Sequence, residues 1–379
     1  MNVKKYDPIV PVNIGLTQGL SSAFFVIVAT RLGANPFTIG IVSSSPYLGN
    51  LFAPFWSNIT QRIEIRKVIA SAVFLSSIIL FFLLFIKSPI SFMLSVIIYF
   101  IFFGGWEVLY PALIDLIYSE IAISILSRFD EIRSVSYTLV VAFSGLIMML
   151  WGHKITFFAG AVFLLISALI ILNSKTDKVF DDSLEKTNSI KILKEDPGIR
   201  KLVLIFMIAG TGMLIMLPAI PILEVNLLKL SDAKIGILLA VNSLAYILGM
   251  EIWSRYVKSI SRLYITFTIG LIAIIGMALI YTLLPKYFML VIANVFCGIG
   301  GSSISFFWQT FSISNPDYRT EDLSSLHLFT CGIRGIYAPI LGALIIYLFS
   351  VKVNFIFSLI LVIAGLAVFL LKGKDIFAV

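Results

Sequence analysis

Long apolar stretches, separated by short polar ones, run along the whole chain. The twelve stretches, numbered here as segments one to twelve, cover residues 8–31, 36–58, 68–86, 90–114, 133–152, 155–173, 201–226, 233–255, 263–284, 287–312, 326–349 and 353–371. Each is long enough to cross a bilayer as a helix, and none shows the alternation typical of barrel strands. Because every backbone amide in lipid must be paired within the protein, the pattern predicts twelve transmembrane helices.

Several short features occur twice, half a chain apart. Asn35-Pro36 before segment two and Ser231-Asp232 before segment eight are both helix-start signals. The other pairs, which recur 196 or 197 residues later, are Ile39-Gly40-Ile41 with Ile235-Gly236-Ile237, Trp56-Ser57 with Trp253-Ser254, and Gly104-Gly105 with Gly300-Gly301. The chain therefore consists of two related halves, and the crevice between such halves is the expected seat of a solute site.

The longest polar stretch joins segments six and seven. It mixes acidic residues with lysines and ends at Pro197-Gly198, which is typical of a flexible linker. A short run, Ile190-Lys191-Ile192-Leu193, indicates a brief interfacial helix within it. We therefore predict a six-helix bundle over residues 1–173, a cytoplasmic linker over 174–199 and a second six-helix bundle over 200–379.

Composition supports a lipid environment. Hydrophobic residues make up 59% of the 379 residues, charged residues 13%, and the mean hydropathy is +1.04. A water-soluble protein of this size could not bury so much apolar surface. Cys297 and Cys331 lie in apolar segments and are interpreted as packing residues. No cleavage-type pattern follows the first apolar stretch, so we expect it to be a retained helix.

Basic residues predict the orientation. With the N-terminus inside, the inner ends of the segments hold 21 of the 28 lysines and arginines and the outer ends hold 7. This bias places both termini in the cytoplasm of a multi-pass protein, which we expect in the cell membrane. The net charge of +8 is then a topology signal, and we expect no nucleic-acid partner.

The loop between segments two and three is similar to a family signature, Gly-x-x-x-Asp-Arg-x-Gly-Arg-Arg. Arg62, Arg66 and Lys67 fit it, whereas Ser57, Gln61 and Glu64 replace the glycine, the aspartate and the second glycine. With its six-plus-six organisation, the chain resembles the major facilitator superfamily of secondary transporters. The family's antiporter signature, a Gly-Pro pair in helix five, is missing from residues 142–145, while residues 332–342 follow a common family pattern in helix eleven.

The resemblance implies a fold and an activity. The fold would be an all-α membrane protein, with twelve transmembrane helices as two pseudo-symmetric six-helix bundles. The activity would be secondary transport of a small organic solute by alternating access, in a monomer without a cofactor. Helices one, four, seven and ten would line the central cavity, and helices five and eight would be neighbours across the two halves.

Glu107 is the deepest acid of segment four. It is a candidate for function because an ionisable group in a membrane span is costly unless it faces protein or water. It is either a proton-accepting or cation-binding carboxylate of the solute site, or a buried acid bonded to a neighbouring helix. Trp106 and Tyr110 beside it either stack on an organic solute or pack between helices.

The remaining candidates for the solute site are uncharged. Amide side chains can bind a solute, but they also join helices at about 0.6 kcal/mol each, so both interpretations stay open. The candidates are Asn13 and Gln18 in segment one, Asn242 in segment eight, Asn294, Trp308 and Gln309 in segment ten, and Tyr337 in segment eleven.

Charged residues near the cytoplasmic ends are candidates for gating, namely Arg62, Arg66, Arg133, Glu251 and Arg334. We hypothesise that Glu251 and Arg133 form an inner lock between the halves; plain boundary charges are the alternative. Arg334 is expected to snorkel to the cytoplasmic face, with an ion pair or an anion contact as the alternative.

Two further groups are treated as boundary residues. Glu224, which follows Pro218 and Pro221, is either an outer-gate acid or an interfacial one. His327 is expected to begin helix eleven as an interfacial histidine.

Sequence motifs for other activities are missing. The chain has no Gly-x-x-x-x-Gly-Lys-Ser/Thr loop, no Gly-x-Ser-x-Gly elbow and no metal-ligand spacing among its two histidines and two cysteines. We therefore expect a transporter and not an enzyme. Whether protons are coupled stays open, as do two other functions: an integral-membrane enzyme acting on a lipid-linked substrate, and a non-transporting sensor with a transporter fold.

Overall fold

The computed structural model describes residues 8–60, 62–118, 122–174, 189–314 and 320–377. Its first half contains α1 (Ile9–Leu20), α2 (Phe25–Arg31), α3 (Pro36–Leu51), α4 (Ala53–Thr60), α5 (Ile65–Phe82), α6 (Pro89–Tyr118), α7 (Ala122–Trp151) and α8 (His153–Asn173). Its second half contains α9 (Ser189–Glu195), α10 (Pro197–Ile215), α11 (Ala219–Pro221), α12 (Asp232–Tyr256), α13 (Ile260–Leu283), α14 (Tyr287–Ser314), α15 (Thr320–Leu348) and α16 (Val351–Phe377). All regular structure in the described ranges is helical, which confirms the predicted class.

Three short turns continue the long helices. The 3-10 turn Ser22–Phe24 joins α1 to α2, the 3-10 turn Leu83–Phe85 follows α5, and the π-helical turn Ile222–Leu227 follows α11. With these turns included, eleven helical stretches of the described residues are long and apolar enough to cross a membrane.

Segment two accounts for the difference between eleven and twelve. It forms two shorter helices, α3 and α4, which are separated at Phe52. Pro54 has no amide hydrogen to donate to the carbonyl of Asn50, so the helical ladder is interrupted there. The segment is helical, as predicted, but broken.

The predicted start signals act as expected. The Oδ1 atom of Asn35 accepts a hydrogen bond from the amide of Thr38 at 2.8 Å, and the Oγ atom of Ser231 accepts one from the amide of Lys234 at 3.4 Å. The expected short helix near residue 190 is α9.

Two helices begin earlier than their apolar segments. Helix α7 begins at Ala122 and not near residue 133, and α15 begins at Thr320 and not near 326. Helical hydrogen bonds continue through polar residues, whereas an apolar run marks only the stretch that avoids water. Arg133 and His327 therefore lie inside helices, and the expectation that they begin them was wrong.

The chain divides into two compact units. One comprises residues 1–184 and 230–237, and the other comprises residues 185–229 and 238–379. The segment Leu230–Ile237 belongs to the first unit, where the Nη2 atom of Arg31 lies 3.0 Å from Oδ1 of Asp232 and donates to the carbonyl of Leu230 at 2.6 Å. Residues 175–188 of the predicted linker lie outside the described residues, and the predicted domain limits remain a prediction.

The core of the first unit is built on aromatic rings and glycine contacts. The ring of Phe25 meets those of Tyr99 and Phe157 edge-on, with centroids 5.2 and 5.5 Å apart. Helices α3 and α6 touch through their backbones, because a Cβ atom added to Gly104 would lie 2.6 Å from the Cα atom of Gly49. This half of the glycine repeat therefore serves close helix packing.

The second unit is packed in a similar way. Phe206 of α10, Phe267 of α13 and Phe307 of α14 have ring centroids 4.6 to 5.9 Å apart. The Nδ2 atom of Asn354 donates to the carbonyls of Ile215 and Gly342, each at 3.0 Å, and so links α16 to α10 and α15.

Candidate functional site

Glu107 is exposed on α6, in the first unit. The apolar side chains of Leu94 and Ile98 on the same helix are 52% and 45% exposed. Nine residues separate Ile98 from Glu107, which at about 100° per residue is half a turn, so the carboxylate points away from the apolar exposed face. Pro111 and Asp115, one and two turns later, are exposed on the Glu107 side.

The two aromatic neighbours of Glu107 are core residues. Trp106 is 1% exposed and Tyr110 is 6% exposed, and their rings stack on each other with centroids 4.0 Å apart. Neither side chain is available to stack on a solute in this arrangement, so the geometry favours the packing interpretation.

Helix α1 contributes one buried amide. Asn13 is 5% exposed, and its Nδ2 atom has no hydrogen-bond partner among the described residues. Gln18 is half-buried, one turn and a half further along. A buried amide donor without an acceptor is the kind of group that a polar solute or water satisfies.

Two uncharged candidates of the second unit, Tyr337 and Asn242, contact other side chains of the same unit. The hydroxyl groups of Tyr337 and Thr211 are hydrogen-bonded at 2.5 Å, and Nδ2 of Asn242 lies 3.5 Å from Sγ of Cys297. Gln309 is exposed.

Asn294 belongs to a buried chain of hydrogen bonds. Its Nδ2 atom donates to the carbonyl of Leu290 at 2.9 Å and to the hydroxyl of Tyr281 at 3.4 Å. The hydroxyl of Tyr281 in turn donates to Oε1 of Glu224 at 3.2 Å.

Glu224 is a buried acid, which the sequence analysis did not predict. The residue is 4% exposed and lies in the π-helical turn that follows Pro221, near the end of the apolar stretch Pro197–Leu227. The choice between an outer-gate acid and an interfacial one remains a prediction. The signal that could have identified it is the pair Pro218 and Pro221, which disturbs the helix just before the acid.

Arg334 and the aromatic groups near it form a second buried cluster. The expectation that Arg334 snorkels was wrong, because the side chain is 7% exposed at the fifteenth position of α15 and its Nη1 atom donates to the carbonyl of Phe206 at 2.8 Å. Trp308 is 4% exposed and stacks on His327 with ring centroids 4.5 Å apart. The interfacial expectation for His327 remains a prediction.

The gating candidates have local partners. Arg133 lies 3.2 Å from Asp130, and Glu251 lies 2.5 Å from Arg255, one helical turn away in each case. The Glu251–Arg133 lock remains a prediction.

The signature loop contains a compact charge cluster. The guanidinium group of Arg66 bonds the carboxylate of Glu64 and the carbonyl of Ser174, Lys67 lies 3.2 Å from Glu64, and Arg62 is exposed. The hydrogen bond from Arg66 holds the pKa of the Glu64 carboxyl below its ordinary value, and Lys67 acts in the same direction.

Within the ranges that the structure describes, no three His, Cys, Asp or Glu side chains come together as a metal site would require. The second unit holds two buried ionisable groups, Glu224 beside the Tyr281 hydroxyl and Arg334 beside the ring of Phe206, whereas Glu107 of the first unit is exposed.

Comparison with known proteins identifies the fold. A model of the Major Facilitator Superfamily matches residues 12–333. Among solved structures, the nucleoside transporter NupG is similar, with a TM-score of 0.75 and 16% identity over 97% of this chain and 99% of that one. A POT family transporter in complex with 5-aminolevulinic acid gives 0.73 and 14% over 97% and 95%. A bacterial homolog of the human lysosomal transporter Spinster gives 0.70 and 13% over 97% and 96%. No curated protein matches the sequence.

Proposed function

Because the chain belongs to the major facilitator superfamily, we propose that it is a secondary active transporter that moves a small organic solute across the membrane by alternating access. It is a multi-pass membrane protein, and its structural neighbours are transporters. We further propose that transport is coupled to protons and that Glu107 carries the coupled proton.

The position of Glu107 is the observation that supports this coupling. The residue is the nineteenth of the thirty in α6, about 27 Å from the start of the helix and about 17 Å from its end at 1.5 Å per residue. A carboxylate at that depth is costly against lipid, by about 2.5–3.5 kcal/mol or more. Its exposed side is half a turn away from the apolar face of Leu94 and Ile98, which is suited to lipid. Glu107 is therefore proposed to face a water-filled solute path.

A carboxylate in such a path can link proton binding to transport. When it is protonated it is neutral, and the cost of enclosing it away from bulk water falls. A conformational change that closes the path around Glu107 is then easier for the protonated carrier. The proton crosses the membrane when the path opens on the other side and the carboxyl group releases it there.

The test begins with purified protein and a thermal-stability screen. Uridine, a dipeptide and 5-aminolevulinic acid are the first probes, since structural neighbours are a nucleoside transporter and a POT family transporter solved with 5-aminolevulinic acid. A stabilising probe is then used in radiolabelled form in proteoliposomes that contain the pH dye pyranine. We expect solute accumulation when a pH gradient is imposed, together with proton movement in the same vesicles.

The matched variants are Glu107→Gln and Glu195→Gln. Glu195 is an exposed acid of α9, so its variant should behave as the native protein does. Glu107→Gln should retain solute exchange between equal pools but lose accumulation driven by the pH gradient. Accumulation of equal size in both variants would overturn the role of Glu107. Absence of any solute flux for every stabilising probe would overturn transport itself.

A further inference from the structure

Arg334 is a buried cation that pairs with no carboxylate of the described residues. Its guanidinium group donates to the carbonyl of Phe206 at 2.8 Å and to Sγ of Cys331 at 2.9 Å. No carboxylate of the described residues forms an ion pair with it. A guanidinium group has five N–H donors, so these two contacts leave most of its hydrogen-bonding capacity and all of its charge uncompensated.

Such a group is expensive in the middle of a membrane helix. A buried charge is normally paired, and one left alone pays the cost of desolvation without the gain from an opposite charge. Burial of Arg334 therefore calls for a mobile partner with negative charge.

Arg334 lines a small cavity within the second unit. The cavity has a volume of about 40 Å³, and the other side chains that line it are apolar, among them Phe206, Met213, Phe267 and Leu271. A cavity holds one water molecule when this kind of volume reaches about 10–15 Å³, so the space suits a compact group of a few non-hydrogen atoms. An apolar lining with a single positive group favours an anion over a neutral polar molecule.

Helix α10 has a glycine, Gly210, next to the guanidinium group of Arg334. A Cβ atom added to Gly210 would lie 2.7 Å from Nε and 2.8 Å from Cζ of Arg334. An alanine at this position would push the guanidinium group out of its place. The lack of a side chain at Gly210 therefore leaves room for the guanidinium group at this position.

The neighbouring buried polar group is also a donor. The Nε1 atom of Trp308 has no hydrogen-bond partner among the described residues. Its ring lies 5.3 Å from that of Phe206, and Cζ of Arg334 lies 5.8 Å from the same ring. Among the described residues, the cluster therefore combines a cation with an unpartnered N–H donor and contains no carboxylate, as an anion site would.

We propose that Arg334 binds a compact monovalent anion in this cavity. Two sources have the required chemistry, a chloride ion and the carboxylate group of an organic solute. Only the second source rests on the proposed transport function. In both cases the anion neutralises Arg334 and takes up its remaining N–H donors.

The test uses native protein in detergent, in a buffer whose only anion is the bulky sulfonate MES. Chloride or acetate replaces MES at constant ionic strength, and both the unfolding temperature and the tryptophan fluorescence are followed. We expect a saturable rise in unfolding temperature and a saturable fluorescence change from Trp308. A response to chloride alone indicates the free ion, a response to acetate alone indicates a solute carboxylate, and a response to both indicates the shared chemistry.

Three variants identify the residue. Arg334→Gln should weaken anion binding about tenfold or more, since hydrogen bonds to a charged partner are lost. Gly210→Ala keeps the charge and displaces the guanidinium group, so it should weaken binding even if Arg334→Gln does not fold. Arg255→Gln, at an exposed arginine of α12, should bind as the native protein does.

Two results would overturn the proposal. One is the absence of a saturable response to either anion in the native protein, and the other is an undiminished response in Arg334→Gln or in Gly210→Ala. Because binding is read without flux, a protein that transports its solute but binds no anion would refute only this site. A protein that binds the anion but transports nothing would refute only the transport function.

Discussion

Removal of the Tyr281 hydroxyl should destabilise the second unit by leaving Glu224 without its donor. The change Tyr281→Phe deletes one oxygen and keeps the ring, which packs against Phe355 at a centroid distance of 5.2 Å. Glu224 is 4% exposed, so water cannot easily replace the lost hydrogen bond. The perturbation therefore isolates one interaction in a buried chain.

The magnitude follows from the geometry of the bond. A hydrogen bond to a charged group contributes about 1.5–3 kcal/mol, and a neutral one about 1 kcal/mol. The separation of 3.2 Å between the Tyr281 hydroxyl and Oε1 of Glu224 is long for a hydroxyl donor, which places the contribution in the lower part of that span. We expect a loss of about 1–2 kcal/mol in the free energy of unfolding.

The assay is a double-mutant cycle in detergent micelles, with unfolding by added SDS followed by intrinsic fluorescence. Glu224→Gln keeps an oxygen that can accept from Tyr281, so it should change stability little. The change Tyr281→Phe should lower the free energy of unfolding more in the native background, which has Glu224, than in the Glu224→Gln background. We expect the difference between the two effects, the coupling energy, to be about 0.5 kcal/mol or more. Tyr246→Phe, at a half-buried position of α12, serves as the control. If Tyr281→Phe costs no more than this control, or if the two changes are additive, the reasoning is refuted.

Three further predictions concern other parts of the molecule. Gly342→Ala should greatly reduce the yield of folded protein in size-exclusion chromatography, because the added Cβ atom would lie 2.0 Å from a backbone carbonyl oxygen of α10. Gly301→Ala is the control and should give a normal yield, because its Cβ atom would meet ring carbons of Tyr246 no closer than 3.6 Å. Asp196→Ala should cost about 1 kcal/mol of stability in SDS unfolding, because Asp196 caps the first amides of α10, and an unchanged midpoint would contradict this role. Arg66 lowers the pKa of Glu64 in the folded protein, so the pair should stabilise the fold above the unfolded pKa of Glu64 and lose this effect as the pH falls through the lower folded pKa. Glu64→Gln should therefore flatten the acid side of a plot of unfolding temperature against pH. An unaltered plot would argue against the pair.

Local sequence signals predicted the features that depend on a few adjacent residues. The cap formed by Asn35 is made within one helical turn, so its hydrogen bond to Thr38 follows from neighbours in the chain. The break of segment two at Phe52 was not predicted, although it too has a local cause, the missing amide hydrogen of Pro54. Neither depends on which other helix lies nearby.

The site residues were harder to place. Arg334 and Glu224 were both assigned to boundaries, and both are buried. Their positions depend on Gly210 and Tyr281, which lie more than fifty residues away and carry no visible link to them in the sequence. Glu107 was identified from its depth in segment four, but its exposed face became visible only with the side chains in place.

The sequence by itself determined that this protein is a bundle of membrane helices, because the length and solidity of its apolar runs leave the backbone no other way to pair its amides in lipid. Only the tertiary structure decided which face of each helix meets a neighbour. Lipid and protein core are both apolar, so Phe288 at 72% exposure and Phe92 at 0% look alike in the sequence. The same ambiguity concealed the partners of Arg334 and Glu224. Which groups a buried polar side chain contacts depends on the helices packed around it, and its own residue type does not reveal them.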